Sequence, residues 1–208
     1  PLAFTNAASY TFNQINGDNG TVSIGLGNTT PAMTIVEPDL TMRKDGPAGT
    51  VNFLVPIPYT VVVENIGNGP AFDTTITDRL PNTPDNPPLT GGTCDATPIN
   101  FVARITASAD ESTTIRALIQ GTDYDISYTA APTCELLITT ITDTARVESS
   151  EKLIVSYDVT LNVATQSGAE LTNVAGATEW FSLNTAGAGA TGEIRTYSET
   201  LTDGTPLI

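Results

Sequence analysis

The stretch "YTVVVENIGNGPAFDTTITDRLP", Tyr59 to Pro81, alternates apolar and polar residues on both sides of the glycine-rich "IGNG". Period-two alternation sends successive side chains to opposite faces of a strand, and Gly and Asn between two such runs supply a turn. The stretch therefore reads as a hairpin of two half-buried strands carrying three carboxylates, Glu64, Asp73 and Asp78. Alternation recurs outward from it in "TVNFLV" (50–55), "INFVARI" (99–105), "CELLITTI" (134–141) and "KLIVSYDVTLNV" (152–163). In the last of these Leu153, Val155, Tyr157, Val159 and Leu161 share one face, while Lys152, Ser156, Asp158 and Thr160 fall on the other. "DESTTIRALIQ" (110–120) has no clean period and fits a short helix or a strand. Strands recurring about every ten residues with Gly, Pro, Asn and Asp between them predict an all-β antiparallel sandwich.

Composition agrees with that class and excludes several functions. The chain has 208 residues, 39% of them hydrophobic, enough for a substantial core. Eight basic against 23 acidic residues give a net charge of −15, which repels nucleic acid and anionic membrane surfaces. No apolar run approaches the roughly 20 residues of a membrane helix. The chain begins at Pro1 without Met or a charged-then-apolar leader, as expected of a processed product or an excised piece. With no histidine, no GxSxG elbow and no phosphate-cradling glycine loop, catalysis on an external substrate is not expected, nor is a cofactor.

Cys94 and Cys134 are the only cysteines, each beside a turn. Their separation rules out a CxxC site, so the preferred reading is one structural disulfide and an oxidising, extracellular or periplasmic setting. Two buried free thiols are the alternative. Turns offer weak calcium candidates at Asp18, Asp85, Asp123, Asp125 and Asp203, none in a DxDxDG loop. The bland reading of each is a turn former.

A repeat is the most informative feature. "LAFTNAASYTF" (2–12) matches "AELTNVAGATEWF" (169–181), with Thr5, Asn6 and Ala8 each 167 residues before Thr172, Asn173 and Ala175. Both copies lead through Gly- and Asn-rich sequence to an extended segment with a proline. The expected organisation is one unit of a tandem array: 1–37 as the tail of a preceding unit or as donated strands, 38–200 as the β-sandwich with an elaborated 82–133 region, and 201–208 as the link onward. Trp180 and Phe181, with Tyr10 and Phe12 in the other copy, suit core or inter-unit packing better than a ligand platform.

Three pieces in this order, "YTVVVENIGNGPA", "TDRLP" and "LTNVA", resemble the Ig-like repeat domain of large prokaryotic surface proteins, which is strung in arrays between an anchor and a distal head. The resemblance covers most of 38–181 and implies an extracellular, cell-surface structural unit of an adhesin stalk or filament. Its partners would be neighbouring copies. A polymerising subunit joined by strand donation and a glycan- or receptor-binding module are the alternatives. Modules of this general kind resemble self-crosslinking collagen-adhesin domains, in which a first-strand lysine attacks a last-strand asparagine beside a buried acid. Carried onto this chain, the lysine is Lys44, the asparagine Asn173, and the acid Asp78, Asp73 or Glu64. Asp73 and Asp78 are five apart, so on a regular strand they face opposite ways and at most one of them shares the centre. Duller roles remain for each: a solvated strand end for Lys44, a backbone-bonding turn residue for Asn173.

Overall fold

The computed structural model describes residues 31–47, 49–184 and 195–198, together with the short paired stretches Ala3–Phe4, Ala7–Ala8, Phe12–Asn13, Thr21–Val22 and Asn28–Thr29. The chain divides into two compact units, Pro1–Val36 and Glu37–Ile208. In the first, β1 (Ala3–Phe4) pairs with β6 (Met33–Thr34), β2 (Ala7–Ala8) with β5 (Asn28–Thr29), and β3 (Phe12–Asn13) with β4 (Thr21–Val22). All three pairings are antiparallel and nested, the pattern of one folded-back ribbon.

The larger unit holds ten strands: β7 (Leu40–Asp45), β8 (Ile57–Asn65), β9 (Phe72–Arg79), β10 (Ile99–Ala107), β11 (Asp110–Leu118), β12 (Tyr124–Thr129), β13 (Glu135–Thr140), β14 (Glu151–Val159), β15 (Val174–Phe181) and β16 (Thr196–Tyr197). They form two five-stranded antiparallel sheets, β11-β10-β14-β8-β7 and β12-β13-β9-β15-β16. The all-β sandwich predicted from the alternation is thus the fold. Inward residues of the first sheet (Val61, Val63, Ala103, Ile105, Leu153, Val155, Tyr157) meet those of the second (Ile76, Leu136, Ile138, Ala177) in one buried core.

Two sequence expectations need correcting, and the open alternative over 110–120 resolves to a strand. Tyr59–Pro81 is not a hairpin: β8 pairs with β7 and β14, whereas β9 pairs with β13 and β15 in the opposite sheet. The linker is an arch between sheets, held by the fully buried Asn65. The Asn65 amide donates to the Gly69 and Val147 carbonyls, both at 2.8 Å, while its oxygen accepts from the Asp39 and Gly67 amides at 3.2 and 3.0 Å. Satisfying four backbone groups from one side chain lets the chain cross between layers without orphaned polar groups. "TVNFLV" is a loop and not a strand. Phe53, Leu54 and Val55 are exposed, and Leu54 takes φ of 66°; the flanking Gly49 and Pro56 and a left-handed residue prevent a ladder. Finally, 110–118 is strand β11, an edge strand with mostly exposed side chains, which is why it shows no apolar period.

Cys94 and Cys134 are bonded, with Cα atoms 5.4 Å apart and both residues buried. The bond ties the segment after β9 to the start of β13. Trp180 is buried and stacks on Tyr197 at 5.9 Å between ring centroids, so it packs the β15–β16 edge. Tyr10 lies outside the described residues.

Candidate functional site

On β7 the even-numbered residues Leu40, Met42 and Lys44 face inward, because Lys44 is in register with the core residue Val61. On β9 the inward set is Thr74, Ile76 and Asp78, each completely buried. The arch between sheets therefore sets Lys44 and Asp78 against each other across the sandwich, and the Lys44 ammonium ion-pairs with Asp78 Oδ2. The side chains are 8% and 0% exposed, so water screens the pair very little.

Two tyrosines complete the cluster, and the sequence reading placed neither in the site. Tyr157 and Tyr59 are register partners on β14 and β8, with ring centroids 5.9 Å apart. Lys44 Nζ donates to Tyr157 Oη at 2.9 Å, and Tyr157 Oη donates to Asp78 Oδ2. Nζ also stands 4.6 Å from the Tyr59 ring centroid and 5.6 Å from that of Tyr157, within cation–π range of both. Gly46, just past β7, is where Tyr59 needs room: a Cβ there would lie 2.7 Å from Tyr59 Cε1. The signal available in the sequence was that Tyr157 is the one polar atom bearer in the Leu153–Val159 apolar stripe, and a buried phenol requires a partner.

Asn173 stands immediately before β15, whose register sets Ala175 opposite Asp78. Its amide lies near enough to the Tyr59 and Tyr157 hydroxyls to influence both as a hydrogen-bonding neighbour. Yet among the described residues neither amide atom has a well-formed hydrogen bond, although both are buried. Asp78 Oδ1 is likewise buried without a partner there. Unsatisfied buried amide and carboxylate atoms cost about 1–3 kcal/mol each, so their coincidence beside a buried lysine needs a reason.

The electrostatics are those of a site that disfavours charge. Burial pushes the Lys44 ammonium below the ordinary lysine range, against the opposing pull of Asp78. Burial first, and Asp78 second, push the Tyr157 phenol well above its usual value, and Tyr59 moves the same way for the same causes. The arrangement favours a neutral amine at Lys44 and neutral phenols at Tyr59 and Tyr157.

The other candidate acids lie elsewhere. Glu64 points outward, 3.5 Å from Lys152 Nζ on the far face of the same sheet. Asp73 alternates away from the inward Thr74, Ile76 and Asp78, with φ of 46°. Of the calcium candidates, Asp123 is buried and caps a turn, accepting from Ile119 N at 2.9 Å and Thr142 Oγ1 at 3.0 Å. Asp125 is exposed on β12, and Asp85 accepts from Thr172 Oγ1 at 2.6 Å. Asp18 and Asp203 lie outside the described residues. Among the described residues no three Asp, Glu or Cys side chains cluster as metal ligands.

A cleft of about 760 Å³ runs between the 47–53 loop and the 165–171 segment, with Ile57, Tyr59 and Leu161 in its wall. Tyr59 is the member of the Lys44 cluster that lines it. No helix among the described residues is long and apolar enough to cross a membrane. Comparison with protein-family models and with curated proteins finds no match.

Proposed function

We propose that the Glu37–Ile208 unit is a structural β-sandwich of an extracellular surface protein, an adhesin stalk or filament, locked by an amide bond between Lys44 and Asn173. The observation that carries this reading is the buried Lys44–Asp78 pair together with Asn173, which stands two residues before Ala175, the register partner of Asp78, and whose buried amide has no hydrogen-bond partner among the described residues. An ion pair kept only for stability is a poor use of such a position, since an apolar pair of similar volume is usually as good or better.

The chemistry balances without a cofactor. The Lys44 ammonium passes one proton to Asp78, leaving a neutral amine with a free lone pair. Nζ attacks Asn173 Cγ, and the protonated Asp78 donates to the carboxamide as the tetrahedral centre forms. The Cγ–Nδ2 bond then breaks with the second Nζ proton on the departing nitrogen, the re-forming carbonyl returns its proton to Asp78, and Asp78 passes that proton through water to the released ammonia. The net change is ammonium plus carboxamide to secondary amide plus ammonium ion. Tyr157 bridges Lys44 and Asp78 throughout, and burial favours the neutral Lys44 amine that the attack requires. Nothing external is turned over.

The mechanical consequence follows from topology. β7 opens the sandwich and Asn173 stands at the entry to β15, so the bond would join first and last parts of the unit. Tension on the chain would pass through the amide and spare the ladders between. The Cys94–Cys134 bond adds a second covalent tie and suits an oxidising compartment. The net charge of −15 and the resemblance of 2–12 to 169–181 fit soluble units repeated along a chain. Intact mass under non-reducing and reducing conditions tests the reading: a deficit of one ammonia is expected, and a full mass apart from the disulfide's two hydrogens would overturn it.

A further inference from the structure

We propose that residues 81–95, an elaboration with no role in the sheets, act as an internal template that positions the Asn173 amide for Lys44. This rests on the crosslink reading above. The segment leaves β9 three residues after Asp78, and its base is fixed twice. Thr93 N donates to Pro81 O at 2.8 Å, closing the loop, and Cys94 is bonded to Cys134, whose carbonyl accepts from Leu80 N at 2.9 Å. Pro81, Pro84, Pro87 and Pro88 narrow the conformations it can reach before folding.

From that base it pairs along 162–172. Asn162 N donates to Gly92 O at 2.8 Å, and Gln166 N to Thr90 O at 2.9 Å. Thr90 N returns a bond to Gln166 Oε1 at 3.0 Å. Gly91 permits the approach: its φ is +125°, and a Cβ there would stand 2.2 Å from Thr165 Cα. Nearest the site, Asp85 N donates to Glu170 O at 2.8 Å and Glu170 N to Asn86 Oδ1 at 2.9 Å. Thr172 Oγ1 donates to Asp85 Oδ2 at 2.6 Å.

Asn173 is therefore held from both sides. Thr172 is tied to the template, and Val174 and Ala175 enter the ladder opposite Arg79 and Asp78. Because the template continues directly from the strand bearing Asp78, acid and amide are located by one continuous segment. Amide formation from a carboxamide needs near-attack geometry, with reacting atoms about 3–3.5 Å apart, and a misplacement of about 1 Å costs on the order of 100-fold. Asp85 and Asn86 are positioning residues, since they touch neither Lys44 nor the Asn173 amide.

The test is the rate of ammonia loss by chains made in a cell-free system, quenched in acidic denaturant at intervals and weighed intact. Thr172→Val and Asp85→Ala are expected to slow the loss by roughly tenfold or more. Thr172→Ser, which keeps the hydroxyl, is expected to restore it. The pH dependence of the residual reaction should match the wild-type chain, because the reacting groups are untouched. In a Lys44→Ala background, which cannot crosslink, Thr172→Val is expected to leave the urea midpoint close to that of Lys44→Ala alone. Wild-type rates in Thr172→Val, or a slowing matched by lost stability in that background, would overturn the template. A wild-type chain that keeps its ammonia would overturn the crosslink itself, a separate and recognisable outcome.

Discussion

Lys44 of β7 and Asp78 of β9 come from opposite sheets and form an ion pair inside the sandwich, with the Tyr157 hydroxyl bonded to both. The pairing depends on the β8–β9 connection being an arch, since a hairpin would have put Asp78 in the sheet that carries Lys44. Removing one partner leaves the other charged and buried. Asp78→Ala is expected to abolish ammonia loss and to destabilise the chain by about 3–5 kcal/mol in urea unfolding, whereas Lys44→Met with Asp78→Leu should recover most of that stability. Equal stability of the single and double variants would show that the pair is not desolvated as described.

Tyr157→Phe keeps the ring that packs on Phe101, at 5.5 Å between centroids, and removes only the hydroxyl. Lys44 then loses an acceptor and Asp78 a donor. The expected cost is about 1–3 kcal/mol for the uncrosslinked chain, measured in an Asn173→Ala background. Crosslinking in the Asn173-containing chain should slow while its end product stays the same mass. An unchanged rate would place the hydroxyl outside the chemistry.

The disulfide closes a loop with a sequence separation of 40 residues. Loop-closure entropy for that length gives about 4 kcal/mol, so Cys94→Ser with Cys134→Ser is expected to lower stability by up to that amount. Calorimetry on a Lys44→Ala background isolates this tie from the amide. A loss under about 1 kcal/mol would mean that the unfolded chain is already constrained near these residues.

Legibility in the sequence followed burial pattern. β8, β9 and β14 bury one face, sometimes both, so their alternation or β-branched runs stood out; β11 presents an exposed edge and left no pattern to read. "TVNFLV" had the composition of a strand, but its apolar side chains meet solvent around a left-handed Leu54, and local composition does not report that. Lys44 and Asn173 were found through resemblance, and only three-dimensional register separated Asp78 from Asp73 and Glu64. Asn65 carried no distinguishing signal in the sequence because its four backbone partners are distant in sequence or set by the arch itself. Asp85 read as a turn aspartate for the same reason: its partner Thr172 lies 87 residues away.

The outer face of the first sheet carries a second charged cluster whose pH response can be worked out. Arg43, Val62, Ile154 and Arg104 are consecutive register partners across four strands, and Val62 and Ile154 are buried although they point away from the core. Glu111 of β11, beyond the register shifts at Ile105–Ala107 in the β10–β11 pairing, bonds to residues of β7 and β14 on this face. Arg43 donates to both Glu111 oxygens at 2.8 and 2.6 Å, and Lys152 Nζ to one at 2.8 Å. These partners, Arg43 first, hold the Glu111 carboxyl down at about 2 against an ordinary 4.5. A depressed carboxyl stabilises fully above its unfolded value, and the contribution disappears as pH falls from about 4.5 toward 2. The side chain is 33% exposed, so the contribution is screened to about 1 kcal/mol. Glu111→Gln is expected to cost that much at neutral pH and nothing near pH 2, with the gap closing through this window and shrinking in salt. Because the uncharged glutamine preserves shape and removes the ion pair, a gap independent of pH from 7 to 2 would show that the loss does not come from the Glu111 charge.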